Sequence, residues 1–152
     1  SNSLSDLNNT VTNNSNELKQ YAVATLSNPS SLTHALNTAF LLTDLTNFNN
    51  ADYQLVNGKV TVSKSALYQV DVYVSFDANN TGIRQVAFAN WELQPIQIVN
   101  AALENDTKLT MSSTLRIDAN GTVNLNIMQN SGSTLSVNAC ALMIRKVSDL
   151  DV

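Results

Sequence analysis

Leu67-Tyr68-Gln69-Val70-Asp71-Val72-Tyr73-Val74-Ser75-Phe76 is the stretch whose reading decides the fold. Tyr68, Val70, Val72, Val74 and Phe76 alternate with Gln69, Asp71, Tyr73 and Ser75. Successive side chains of a strand point to opposite faces, so this period of two predicts a half-buried β-strand. The same period recurs on the C-terminal side. Ile83, Gln85, Ala87 and Ala89 alternate with Arg84, Val86 and Phe88. Leu109, Met111, Leu115 and Ile117 lead into a turn at Asp118-Ala119-Asn120-Gly121, and Val123, Leu125 and Ile127 lead into another at Asn130-Ser131-Gly132-Ser133. Leu135, Val137, Ala139 and Ala141 then run into Leu142-Met143-Ile144. On the N-terminal side, Phe40-Leu41-Leu42 and Val60-Thr61-Val62 read as two more strands, with Asn57-Gly58 bending the chain between them. Short strands with turn signals between them predict an all-β sandwich or jelly roll.

Residues 1–26 carry a different period. Leu4, Val11 and Leu18 fall on heptad positions a, and Leu7, Asn14 and Tyr21 on positions d, with no Gly or Pro in the stretch. This predicts a short coiled-coil stalk helix. Its many Asn residues are poor helix formers, so the helix depends on partners. The expected organisation is a stalk helix over 1–26, a linker over 27–36 around the break Asn28-Pro29-Ser30-Ser31, a head domain over 37–148 and a tail over 149–152.

The head resembles the C1q/TNF-like superfamily, in the form found in bacterial and phage fibre heads. Gly58-Lys59-Val60-Thr61-Val62 followed by Leu67-Tyr68-Gln69-Val70-Asp71-Val72 is similar to its central strands. Thr114-Leu115-Arg116-Ile117 with Val123-Asn124-Leu125 resembles its Leu-x-Leu, turn, Val-x-Leu hairpin. Gln129-Asn130-Ser131-Gly132 resembles a turn common in its phage members, and Ala141-Leu142-Met143-Ile144 its final strand. The chain departs from the pattern at Ala66 and at Asn90-Trp91, where Gly is usual. The resemblance implies a ten-strand jelly-roll β-sandwich that assembles as a tight homotrimer.

Composition removes several function classes. The net charge is −4, and Arg145-Lys146 is the one adjacent basic pair, so the positive footprint of a nucleic-acid binder is missing. No apolar run approaches the roughly 18 residues of a membrane span, so no membrane insertion is expected. Charged residues are 13%, against about a quarter in an average domain, so Asn, Thr, Ser and Gln must build the polar surface. Such a surface suits a virion component or a secreted head. Asn-x-Ser/Thr sequons occur at Asn8, Asn13, Asn79, Asn105 and Asn120.

No catalytic residue is assigned and no enzyme is expected. His34 is the sole histidine and reads as a linker or cap residue, and no Gly-x-Ser-x-Gly elbow supports a triad. With one cysteine and 4 glycines, neither a Cys-based metal site nor a Gly-rich phosphate loop is available. Cys140 reads as a small buried apolar residue. No metal and no cofactor is assigned. Glu104 with Asp106, and Asp77 with Asn79 and Asn80, are oxygen donors suited to calcium, and equally suited to bonding their own backbone in turns.

The remaining candidates concern binding and assembly. Asp77, Asn79, Asn80, Trp91, Glu92, Asn105 and Asp106 lie on polar connections with one large aromatic, the usual make-up of a ligand-binding surface. Leu4, Leu7, Val11 and Leu18 on the stalk, and Tyr73, Val86, Phe88, Cys140 and Leu142 on the head, are expected at a homotrimer interface. Outward apolar residues on inner strands need such a cover. The expected function is a non-enzymatic trimeric head of a phage or virion fibre, tail or baseplate. Its loops would bind a host-cell surface, a saccharide above all or a protein. A secreted adhesin or ligand domain and a purely architectural trimerisation head stay open beside it.

Overall fold

The computed structural model describes residues 2–18, 21–32, 38–48, 52–88, 96–101 and 105–150. Among the described residues, one helix, α1 (Asn2–Leu18), precedes thirteen strand segments: β1 (Tyr21–Thr25), β2 (Ser30–Leu32), β3 (Thr38–Ala39), β4 (Asp44–Phe48), β5 (Tyr53–Val56), β6 (Lys59–Val62), β7 (Ala66–Phe76), β8 (Ile83–Phe88), β9 (Ile96–Ala101), β10 (Thr107–Ile117), β11 (Thr122–Val123), β12 (Leu125–Gln129) and β13 (Leu135–Asp149). Among the described residues no helix is long and apolar enough to cross a membrane.

The strands form three antiparallel sheets. The largest runs β10-β7-β13-β1-β4, with β2 also paired to β13. A second runs β3-β12-β8-β9 and a third β11-β6-β5. One continuous core joins all three, including Ala22, Tyr53, Val60, Val72, Phe76, Phe88, Leu115, Ile127, Leu142 and Ile144. This is the all-β jelly-roll sandwich with a short N-terminal helix expected from the period of two, the heptads and the family resemblance together. The segments outnumber ten because long runs are broken. β11 and β12 are interrupted at Asn124, and β1 and β2 lie in turn along β13.

The deciding stretch behaves as read. In β7, Tyr68, Val70, Val72, Val74 and Phe76 are buried while Gln69, Asp71 and Tyr73 face outward. Ser75 is buried beside Phe76, so the alternation stops at the end of the strand. Asn57 and Gly58 both take positive φ, 51° and 78°, as the hairpin joining β5 to β6 requires.

Two boundaries differ from expectation. The helix ends at Leu18, not residue 26, and Tyr21–Thr25 is a strand inserted between β13 and β4. Ala22 and Ala24 are fully buried there, and both edges of the strand find backbone partners, which a helix at that position would forgo. The expected linker over 27–36 likewise contains β2, paired to β13. Phe40-Leu41-Leu42 is not a strand. The Phe40 N–H donates to the Leu125 carbonyl (2.7 Å) and the Leu42 N–H to the Gly58 carbonyl (2.9 Å), so the segment bridges the second and third sheets.

The expected head interface is corrected at four of its five residues. Val86, Phe88, Cys140 and Leu142 lie in the sandwich core, 0–4% exposed. In β8 the inward face is the one that carries Arg84, which an alternation reading sends outward together with Val86 and Phe88. In β13 the register shifts between Val137 and Ala139, a β-bulge. One extra residue inverts the side chains that follow, up to a second shift between Lys146 and Ser148, so Val137 and Cys140 both point inward and Ala139, Ala141 and Met143 turn out. Burial pushes the Cys140 thiol up to about 12, which keeps it protonated.

Because Phe88 fills the core, Phe88→Ala is expected to lower stability by about 3–5 kcal/mol. Chemical denaturation checks this. A variant that changes the oligomeric state while its denaturation midpoint is unmoved would return Phe88 to an interface.

Candidate functional site

Two surfaces stand out once the strands are in register. The first is the outer face of the large sheet. Pairing aligns Val23, Met143, Asp71 and Ser112 in one row, and Thr25, Ala141, Tyr73 and Thr110 in the next. A groove of about 370 Å³ follows these rows. Val23, Tyr73, Ala141 and Met143 give it apolar walls, and Asp71, Thr110 and Ser112 a polar margin. That margin is tied into a network on β7 and β10. Ser112 Oγ donates to Asp71 Oδ1, Gln69 Nε2 donates to Ser112 Oγ (2.6 Å) and to Asp71 Oδ1 (3.1 Å), and Thr114 Oγ1 donates to Gln69 Oε1 (3.0 Å). The polar side chains are therefore held in place, while the apolar ones beside them remain half-exposed. Of the expected head interface residues, Tyr73 alone lies here. Val23, Ala141 and Met143 were missed, Val23 because it sits in the stretch read as helix and the others because of the bulge.

The residues expected on the stalk do not line this groove. Leu4, Leu7 and Val11 are exposed on α1, and Leu18 closes the helix with its side chain outside the described residues.

The second surface is the end of the sandwich remote from Tyr21, where β1 begins. Tyr21, where the chain leaves the helix, pairs with Arg145, and Arg145 with Gln69. From Gln69 to Phe76 the strand runs about 24 Å at 3.4 Å per residue, so Asp77 lies at the opposite end. The bulge at Asn138 acts here. Asn138 Nδ2 donates to Asp77 Oδ1 (2.8 Å) and to Asp106 Oδ2 (3.1 Å), gathering two of the predicted ligand residues. Asn80 and Asn105 are exposed nearby in sequence, with Asn79 half-buried. Asn79 Oδ1 accepts the Thr81 N–H (2.9 Å), a turn-forming bond that engages the side chain locally. Trp91 and Glu92 lie outside the described residues, as do His34 and Glu104. Among the described residues no three His, Cys, Asp or Glu side chains gather as a metal site.

Buried polar groups stiffen this tip. Arg84, fully buried, donates through Nη1 to the carbonyls of Thr81 (2.9 Å) and Ile83 (3.0 Å), and through Nη2 to that of Asn79 (2.9 Å). Its guanidinium carbon lies 6.0 Å from the centre of the Phe76 ring. Burial lowers its pKa from the usual arginine value. Opposite it in β12, Gln129 Nε2 donates to the Ser133 carbonyl (2.7 Å) and its Oε1 accepts the Ser131 N–H (2.8 Å). Asn130 Oδ1 accepts the Ile83 N–H (2.6 Å) and binds the two loops together. A Cβ on Gly82 would collide with Asn130, so the approach requires glycine there.

The architecture is the C1q/TNF-like jelly roll. No protein-family model and no curated protein sequence matches the chain. Among solved structures, the PRD1 vertex protein P5 is similar with a TM-score of 0.63 at 16% identity, covering 86% of this chain and 99% of that one. Eiger TNF from S. frugiperda is similar with a TM-score of 0.57 at 13% identity, covering 88% and 96%. The globular domain of zebrafish complement 1qA is similar with a TM-score of 0.55 at 12% identity, covering 87% and 100%. At these identities the likeness is one of fold.

Removing the Asn130 side chain strips the Ile83 N–H of its acceptor, so Asn130→Ala is expected to destabilise the head by about 1–3 kcal/mol. Hydrogen exchange should show faster exchange at Ile83 and its loop, with the β7–β13 ladder unchanged. Uniform protection across the tip would refute the clamp.

Proposed function

We propose that the chain is a non-enzymatic homotrimeric head domain that displays its remote tip to a surface outside the particle or cell that carries it. The observation that carries this reading is the outer face of the large sheet. Val23, Tyr73, Ala141 and Met143 form an apolar surface over a sheet whose other side already packs the core. Water is a poor partner for such a face, and a subunit contact removes it from water. The fold shared with the PRD1 vertex protein P5 supports a virion setting for the head, at a fibre, tail or baseplate. The low charge and amide-rich surface support the same setting.

The tip is the ligand surface of this reading. Asp77, Asn80, Asn105 and Asp106 are acceptors and donors suited to sugar hydroxyls; Arg84 and Asn130 tie down the loop that carries Asn80, and Asn138 bonds both Asp77 and Asp106. Three copies on one head raise the effective concentration of a weak site. A second reading, a secreted ligand or adhesin that recognises a protein, is favoured by the fold shared with Eiger TNF and complement 1qA.

Light scattering at micromolar concentration should report three chains. Burying Met143 contributes roughly 1.5–3 kcal/mol per chain, so Met143→Asp should yield monomers with intact β-structure. A wild-type monomer, or a variant that stays trimeric, overturns the assembly.

For the tip, the double variant Asn80→Ala/Asp106→Ala should weaken binding to host cells or a glycan array by about tenfold or more, since a lost bond to a charged group is worth about 1.5–3 kcal/mol. Its stability should fall by no more than about 1.5 kcal/mol, the loss of the exposed Asn138–Asp106 bond. Unchanged binding moves the ligand surface elsewhere. Binding to a protein partner but to no glycan favours the secreted reading.

A further inference from the structure

The exposed edge of α1 has no role in the head. Leu4, Leu7 and Val11 are 64%, 59% and 59% exposed, and their spacing of three and four places them along one side of the helix. The helix has little to hold it. It is built largely of Asn, Ser and Thr, with no acid in the first turn and no base in the last. Thr10 Oγ1 turns back to bond the Asp6 carbonyl (3.0 Å), a habit that disfavours helix interiors. An isolated helix of 17 such residues is not stable in water.

Position supplies what propensity lacks. α1 meets the head at β13. Three residue steps from Leu18 to Tyr21 span at most about 11 Å. Tyr21 opens β1, and Val23, two residues on, lines the apolar groove. Heads that meet through this face about a threefold axis thus bring the ends of their helices to the same end of the assembly. The charges argue against other occupants. Between Asn2 and Leu18 the charged residues are Asp6 and Glu17, both acidic, whereas helices that lie on anionic membranes carry Lys and Arg on the polar side.

We propose that Leu4, Leu7 and Val11 are an interaction surface that docks on the same surface of two further copies of this chain, parallel and in register, and that assembly of the heads drives the docking. The inference rests on the trimeric head proposed above. Head assembly holds the helices at millimolar effective concentration, which lets a seam of three apolar positions close. The stalk is therefore templated by the head, and not the reverse.

Disulfide cross-linking of full-length chains tests this. Leu7→Cys places thiols at position 7, and native Cys140 is buried and does not interfere. Under mild oxidation the trimer should give cross-linked dimers at position 7. Adding Met143→Asp to separate the heads should slow cross-linking by roughly tenfold or more, because the effective concentration is lost. Should that variant fold poorly, diluting the Leu7→Cys trimer until light scattering reports monomers provides the same comparison. The triple variant Leu4→Asn/Leu7→Asn/Val11→Asn should keep the trimer while losing helical circular dichroism. A monomeric wild type overturns the head and the docking together. A trimer that does not cross-link at position 7 overturns the docking alone. Monomers that cross-link at an undiminished rate, or dissociation of the triple variant, overturn the order of assembly.

Discussion

The pairing of β13 along both edges is the constraint on which the rest of the molecule depends. This strand of 15 residues holds β7 on one side and β1 and β2 on the other. A central strand with both edges satisfied leaves its outward side chains as the only way it can meet anything else. The bulge between Val137 and Ala139 chooses which side chains those are. Cys140, Leu142 and Ile144 go to the core, and Ala141 and Met143 go to the open face. The same extra residue frees Asn138 to reach Asp77 and Asp106 at the tip. One irregularity in one ladder thus shapes both surfaces with functional interest.

The two surfaces obey opposite physical rules. The sheet face is apolar beside a polar network that satisfies itself through Gln69, Asp71, Ser112 and Thr114. Self-satisfied polar groups have little to gain from a small polar ligand, and the apolar strip has much to gain from leaving water. The tip is polar and rigid. Arg84 and Gln129 spend their hydrogen bonds on carbonyls and amides of the segments around Asn79–Ile83 and Ser131–Ser133, so Asn80 stands beside a well-bonded base. Rigid loops lose less entropy on binding, which favours recognition by weak polar contacts.

Placing β1 directly after α1 joins these parts mechanically. A strand that belongs to the large sheet follows the helix within three residue steps, so the end of the helix at Leu18 lies within about 11 Å of Tyr21. This puts the start of β1 at one end of the sheet and Asp77 and Asp106 at the other. Such a layout suits a domain that is carried at one end and makes contact at the other.

The sequence by itself determined the fold class. Strict alternation in 68–74, the Asn57-Gly58 turn and the Gln129-Asn130-Ser131-Gly132 turn are local signals, and local physics, the pleat and the need for positive φ, is enough to read them. The gathering of Asp77 and Asp106 was half legible, as polar residues at loop positions. Their bridge, Asn138, was not, because it belongs to another strand 61 residues from Asp77. Which face of each strand is the core was decided only by the tertiary structure. Parity along a strand is fixed by register, and one bulge in β13 or one inward arginine in β8 inverts it without leaving a period to detect. The end of the helix was likewise decided by β13 and β4, which offer Tyr21–Thr25 two edges to pair with, a choice that no heptad pattern within the segment can reveal.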